Sequence, residues 1–157
     1  MRSNSIWSVF VGGLIAGVCD ITYAVVFSGL RGVPAVRILQ SVASGLLGAK
    51  AFEGGAPTAV LGLILHFAIA LLLAMIFYAA CAVVPALIRR PLITGSCYGF
   101  SVFWVMNLIV LPLSAFPRKV TFAPVVVITG LIVHMFLVGV PIALATRRAL
   151  RSSHQSA

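Results

Sequence analysis

The stretch 57–81, PTAVLGLILHFAIALLLAMIFYAAC, constrains the fold of this chain more than any other. It contains no Lys, Arg, Asp or Glu, and His66 is its one imidazole. An α-helix rises about 1.5 Å per residue, so a helix of this length can cross a bilayer core of about 30 Å. The stretch therefore predicts a membrane-spanning helix and an integral membrane protein.

The composition agrees with a membrane location. Hydrophobic residues make up 62% of the chain and charged residues 8%, whereas soluble proteins have about 45–50% and 25%. The net charge of +9 comes from cations at the ends of apolar runs, where they meet anionic headgroups. We therefore expect the lipid bilayer as partner and no nucleic acid.

Apolar runs divide the chain into four predicted spans at about 6–28, 58–84, 92–115 and 122–146. They predict an all-α integral membrane four-helix bundle in a single domain, 1–157, with a basic tail at 147–157. Polar residues recur at helical spacing within 35–52, which predicts an amphipathic helix that is interfacial or re-entrant. Arg37 and Lys50 near its ends argue against a fifth span.

Similar motifs recur in the two halves of the chain. Spans 1 and 3 each carry a Gly-x-x-x-Gly pair that favours close helix packing, and spans 2 and 4 each carry a Gly-x-x-x-His signature. Their positions are Gly13 and Gly17, Gly95 and Gly99, Gly62 and His66, and Gly130 and His134. The pattern predicts two helical hairpins related as a parallel repeat. The alternative is chance similarity, because lipid-facing helices use few residue types.

One polar side chain in each span is predicted to lie at a similar depth: Asp20, His66, Asn107 and His134. The first three are about eight residues, or roughly 12 Å, from the same end of their helices. Polar groups at this depth are costly and usually face the bundle interior. The layer is a candidate site for an ion, a proton or a substrate. The structural alternative is a set of interhelical hydrogen bonds.

Three function classes fit this layer. The first is a small permease, channel or proton-linked carrier, with helix interruptions at Pro112 and Pro141 that provide mobility. The second is a redox protein in which His66 and His134 ligate one haem b. The third is a structural or scaffolding membrane protein. A narrow four-span bundle would transport as a homo-oligomer, so we expect one.

Other chemistry is not indicated. The chain has no HExxH, GxSxG, P-loop or dinucleotide motif, so we expect it not to be an enzyme. We also expect no metal site, and no cofactor unless haem is bound. The three cysteines lie in or beside apolar runs without a CxxC pair, and we interpret them as free thiols: Cys19, Cys81 and Cys97.

Three segments carry a resemblance: LQSVASGLLGAKAFEGGAPTAVLGLILHF, YGFSVFWVMNLIVLPLS and VHMFLVGVPIAL. In these the chain resembles a group of small bacterial inner-membrane proteins with four predicted spans. The resemblance implies a bacterial inner-membrane location, and it adds Glu53, at the mouth of the second span, to the candidate site. The loops carry one more cation on the side of the termini, which favours cytoplasmic N- and C-termini.

Overall fold

The computed structural model describes residues 2–119 and 122–154, which are predominantly helical. The helices are α1 (Arg2–Gly29), α2 (Ala35–Leu47), α3 (Gly55–Val83), α4 (Pro91–Leu113) and α5 (124–154). Short 3-10 helices occupy Gly48–Phe52 and Pro85–Ile88. Two π-helical segments lie within the longer helices, Met106–Val110 in α4 and His134–Gly139 in α5.

Four helices are long and apolar enough to cross a membrane. They cover Ile6–Gly29, Gly55–Val83, Pro91–Leu113 and Pro124–Arg151, within a few residues of most predicted boundaries. Large apolar side chains on their outer surfaces are exposed, as lipid contact requires. The all-helical class and the four candidate spans of a multi-pass membrane protein are thus confirmed.

Helix α1 packs between α3 and α5, and α5 packs in turn against α4. The backbones of α3 and α4 lie further apart and are bridged by Tyr98. Its hydroxyl donates to the carbonyl oxygen of Leu73 at 2.7 Å, and its ring centroid lies 4.8 Å from that of Phe77. This arrangement leaves space between α3 and α4 on the side nearer α2.

One cluster of buried apolar residues lies in the half of the bundle where α1 begins and α5 ends. Its members come from α1, α3 and α5, and they are mostly small: Val9, Ala16, Ala74, Phe77, Cys81, Val138, Ile142, Ala143 and Ala149. Small side chains let the helices approach closely here. The three cysteines are free thiols.

Helix α2 turns part of its polar face towards the protein. Gln40 is 3% exposed and donates through Nε2 to the carbonyl oxygen of Gly55 at 3.0 Å, and Ser44 is fully buried. The backbone of Leu39 lies directly against Gly62 of α3. With 13 residues the helix is about 20 Å long, too short for a fifth span. Its interfacial or re-entrant placement stays a prediction.

The glycines of the two Gly-x-x-x-Gly pairs lie at helix crossings. A Cβ on Gly13 would be 3.0 Å from Leu71 Cδ2 of α3 and 3.3 Å from Leu71 Cα, so its nearest neighbours at this crossing are side-chain atoms. A Cβ on Gly95 would be 2.8 Å from the carbonyl oxygen of Gly139, so α4 meets the backbone of α5. The parallel repeat itself stays a prediction.

The predicted interruptions at Pro112 and Pro141 take the form of π-helical segments. Each segment ends two positions before its proline, at Val110 and at Gly139. A proline has no N–H and clashes with the carbonyl four residues earlier, which the wider π turn accommodates. Helix α5 therefore continues through Pro141 to His154, whereas α4 ends at Leu113, one residue after Pro112.

Candidate functional site: a cavity lined by the four spans

A cavity of about 430 Å³ lies between α3 and α4, with α1 and α5 behind it and α2 beside it. Ligand sites in proteins typically measure about 300–1,000 Å³. Most of the wall is apolar. The polar side chains that line it come from α1, α2, α3, the residue after α4, and α5: Asp20, Ser41, His66, Ser114 and His134. Three of the four residues of the predicted polar layer therefore meet in one cavity.

Asp20 and His134 face each other because α1 packs against α5. Nδ1 of His134 lies 3.9 Å from Oδ1 of Asp20, and the two side chains are 17% and 26% exposed. The same Nδ1 lies 2.9 Å from the carbonyl oxygen of Gly130. The ring of Phe103 packs edge-on against the imidazole, with centroids 5.3 Å apart. The imidazole is therefore held in place beside the carboxylate.

His66 binds the backbone of the neighbouring helix. Its Nε2 lies 2.9 Å from the carbonyl oxygen of Gly17, and it donates to this oxygen in the Nε2–H tautomer. The absence of a side chain on Gly17 leaves room for Phe67, which would be 2.9 Å from a Cβ there. His66 thus lines the cavity and also joins α3 to α1.

The other two predicted site residues lie elsewhere. Asn107, in the π-helical segment of α4, donates through Nδ2 to the carbonyl oxygen of Phe103 at 2.8 Å. It lines a second groove on the other side of Leu111 and Phe116. Glu53 is exposed after the 3-10 helix that follows α2, and it does not line the central cavity.

The charge of the cavity depends on one carboxylate. The chain has two acidic residues, Asp20 and Glu53, so Asp20 is the sole acid in the spans. A carboxylate can accept hydrogen bonds at about four lone-pair sites, and the long contact to His134 leaves most of that capacity available. Asp20 is therefore the acidic side chain of the cavity, with acceptor sites left for a further partner.

Two serines that were not predicted as site residues also line the cavity. Ser41 of α2 and Ser114 at the end of α4 both line it, and each hydroxyl donates to a carbonyl oxygen in its own helical turn. Their polarity at the edge of apolar runs is a detectable signal. Their shared cavity depends on α2 folding back against α3, which the spacing of residues does not reveal.

Within residues 2–119 and 122–154, no three side chains of His, Cys, Asp or Glu are grouped closely enough to hold a metal ion. The cysteines are distributed over α1, α3 and α4. Asp20 and His134 thus form a pair without a third ligand of this kind.

Known proteins provide no further guide to this site. No family model, no curated protein and no solved structure matches the chain. The functional assignment therefore rests on the residues of the cavity.

Proposed function

We propose that this protein is a small membrane carrier that moves a proton or a small cation through the central cavity. The observation that carries the proposal is the meeting of Asp20, His66 and His134 in one largely apolar cavity bounded by all four spans. Ionisable residues within membrane spans are costly and commonly mark ion or proton pathways.

Asp20 is the cation ligand in this proposal. An Asp at the centre of a membrane helix costs about 2.5–3.5 kcal/mol on insertion scales. A bound proton or cation neutralises this charge and offsets the cost. His134 is the neighbouring ionisable side chain, and a proton passes from its Nδ1 to the carboxylate when the 3.9 Å separation closes and the bond to the carbonyl oxygen of Gly130 is released. The pair can therefore alternate between a proton-loaded and a cation-loaded state.

The π-helical segments provide the flexibility that alternating access requires. His134 begins the segment in α5, and Met106, which lines the same cavity, begins the segment in α4. Such segments weaken the regular hydrogen-bond ladder and often lie at functional sites. Bending of α4 and α5 at these points is the proposed means of opening the cavity on either side.

Flux measurements in vesicles test the proposal. The protein is reconstituted with a pH-sensitive dye inside, and proton flux is followed after an outward gradient of K⁺ or Na⁺ is imposed. We expect Asp20→Asn to reduce flux at least tenfold, because the amide has the same shape but cannot bind a proton or compensate a cation. Thr22→Val, on the exposed surface of the same helix, is the matched control and should keep full flux.

Two outcomes contradict the carrier. One is equal flux in wild type and Asp20→Asn at equal amounts of folded protein. The other is wild-type flux no greater than that of protein-free vesicles for H⁺, Na⁺ and K⁺. Circular dichroism and size-exclusion chromatography in detergent confirm that each variant is folded.

A bis-histidine haem site is the second candidate function. It is favoured by the fact that His66 and His134 line the same cavity from different helices. Ligation through Nε2 would require His66 to release the carbonyl of Gly17. An absorption spectrum of the purified protein before and after dithionite tests it. A Soret band that is lost in both His66→Ala and His134→Ala supports haem, and a colourless protein contradicts it.

A purely structural role is the third candidate, supported by the bond from His66 to α1. The flux assay separates it from the carrier.

We also propose that the protein lies in a bacterial inner membrane, with cytoplasmic termini, and forms a homo-oligomer. One chain supplies the four spans that line the cavity, and the cavity is open on one side, where a second copy could cover it.

A further inference from the structure

A second groove, of about 470 Å³, lies on the other side of α4 from the central cavity. Leu111 and Phe116 belong to the walls of both. The polar lining of the groove is Asn107, Arg118 and Lys119, and Phe122 and Leu108 form part of its apolar wall. The groove therefore has two cations at one end and an apolar surface along α4.

The position of Arg118 is defined by contacts with the segment after α2. Its guanidinium carbon lies 5.4 Å from the ring centroid of Phe52, and that of Arg37 lies 5.6 Å from the same centroid. Arg37 also donates through Nη1 to the carbonyl oxygen of Phe52 at 3.0 Å. Two guanidinium groups thus share one aromatic ring, which concentrates positive charge beside the groove.

The apolar part of the groove continues onto the outer surface of the bundle. Leu108 is 54% exposed, Phe122 45% and Leu113 82%. These side chains flank the point where α4 ends, and the cations follow it within a few residues. In a spanning helix this is the level at which acyl chains give way to phosphate groups.

We propose that this groove binds an anionic phospholipid, with its phosphate group on Arg118 and Lys119 and an acyl chain along Leu108 and Phe122. A soluble anion would satisfy the cations but not the apolar wall. A neutral lipid would satisfy the wall but leave the two cations without a net negative partner. The site is independent of the carrier proposal, because none of its charged residues lines the central cavity.

Trp104 provides a fluorescence reporter beside the groove. Its ring centroid lies 6.0 Å from that of Phe122 and 5.2 Å from that of Phe103. The chain has two tryptophans, so in the Trp7→Phe variant Trp104 is the single tryptophan that fluoresces. The protein is reconstituted in phosphatidylcholine vesicles that contain increasing fractions of dibrominated phosphatidylglycerol. The quenching of Trp104 gives the binding constant relative to phosphatidylcholine.

We expect the anionic lipid to be preferred roughly 25-fold at low ionic strength, since each interfacial cation contributes roughly fivefold. Lys119→Gln should reduce the preference about fivefold, and Arg118→Gln with Lys119→Gln should remove it. Arg89→Gln with Arg90→Gln removes two exposed cations from the loop between α3 and α4, and this matched control should keep the preference.

Three results would overturn the proposal. The first is equal quenching by brominated phosphatidylglycerol and brominated phosphatidylcholine in the Trp7→Phe protein. The second is an unchanged preference in the Arg118→Gln, Lys119→Gln variant, with the single Lys119→Gln protein as a check if the double variant does not fold. The third is relief of quenching by millimolar inorganic phosphate, which would identify a soluble anion as the occupant.

Discussion

The crossing of α1 with α3 and the crossing of α4 with α5 use the same glycine spacing in different ways. In the first, Gly13 and Gly17 receive side chains from α3, including Leu71 and Phe67. In the second, Gly95 and Gly99 receive the backbone of the π-helical segment of α5. A Cβ on Gly99 would be 2.8 Å from Met135 Cα and closer still to the carbonyl oxygen of His134.

This difference determines what each histidine can do. At the first crossing the His66 side chain binds the carbonyl of Gly17 and is used for packing. At the second, the backbone of His134 makes the contact with Gly99, and its side chain points to Asp20 in the cavity. The same local motif therefore provides a histidine that bonds to the neighbouring helix in one half and a histidine that contacts Asp20 in the other, and both line the cavity.

The largest expected effect is that of Gly99→Ala. The added methyl group would overlap the backbone of α5, which cannot move away as a side-chain end can. We expect a loss of about 3 kcal/mol, the upper part of the range for overpacking. Reversible unfolding in mixed detergent measures it. Gly29→Ala, where a Cβ would have nothing within 4 Å, is the control and should be neutral or slightly stabilising.

Gly13→Ala should cost less, about 1 kcal/mol. Its nearest neighbour would be Leu71 Cδ2 at 3.0 Å, the end of a side chain that can adopt another rotamer. Ala74 Cβ at 3.1 Å and Leu71 Cα at 3.3 Å would have to shift by a few tenths of an ångström. The same unfolding assay compares the two variants. If Gly13→Ala is as destabilising as Gly99→Ala, the distinction between a side-chain crossing and a backbone crossing is wrong.

The smallest effect on stability is expected for His66→Gln. It removes a bond between helices of a kind worth about 0.6 kcal/mol on average, and glutamine partly replaces it. In the flux assay His66→Gln should retain most activity, whereas His134→Gln should lose it along with proton exchange at Asp20. Loss of flux in His66→Gln with full flux in His134→Gln would reverse the assigned roles.

Much of the fold was predictable because a bilayer imposes length and polarity locally. The four spans follow from apolar runs of about 20 residues or more with at most one charged residue, a requirement that needs no knowledge of neighbouring helices. The presence of a helix near residues 35–52 was also predictable. That it would bury Gln40 and Ser44 against α3 was not, because a polar stripe facing water and one facing a partner helix have the same spacing.

The candidate site was predictable in part for the same reason. Depth along a helix can be counted, so Asp20, His66 and His134 could be assigned to one layer. The direction of a side chain around the helix depends on which helices are neighbours. Asn107 shows the consequence: it lies at a suitable depth in the chain but lines the second groove.

The sequence by itself therefore indicated a lipid environment, four candidate spans and the sole acidic residue within them. These features depend on composition and on the length of the apolar runs. Tertiary structure alone decided that α1 packs between α3 and α5, that His134 rather than His66 faces Asp20, and that a cavity remains between α3 and α4. These features depend on how closely backbones approach at particular glycines. Such contacts join residues far apart in the chain.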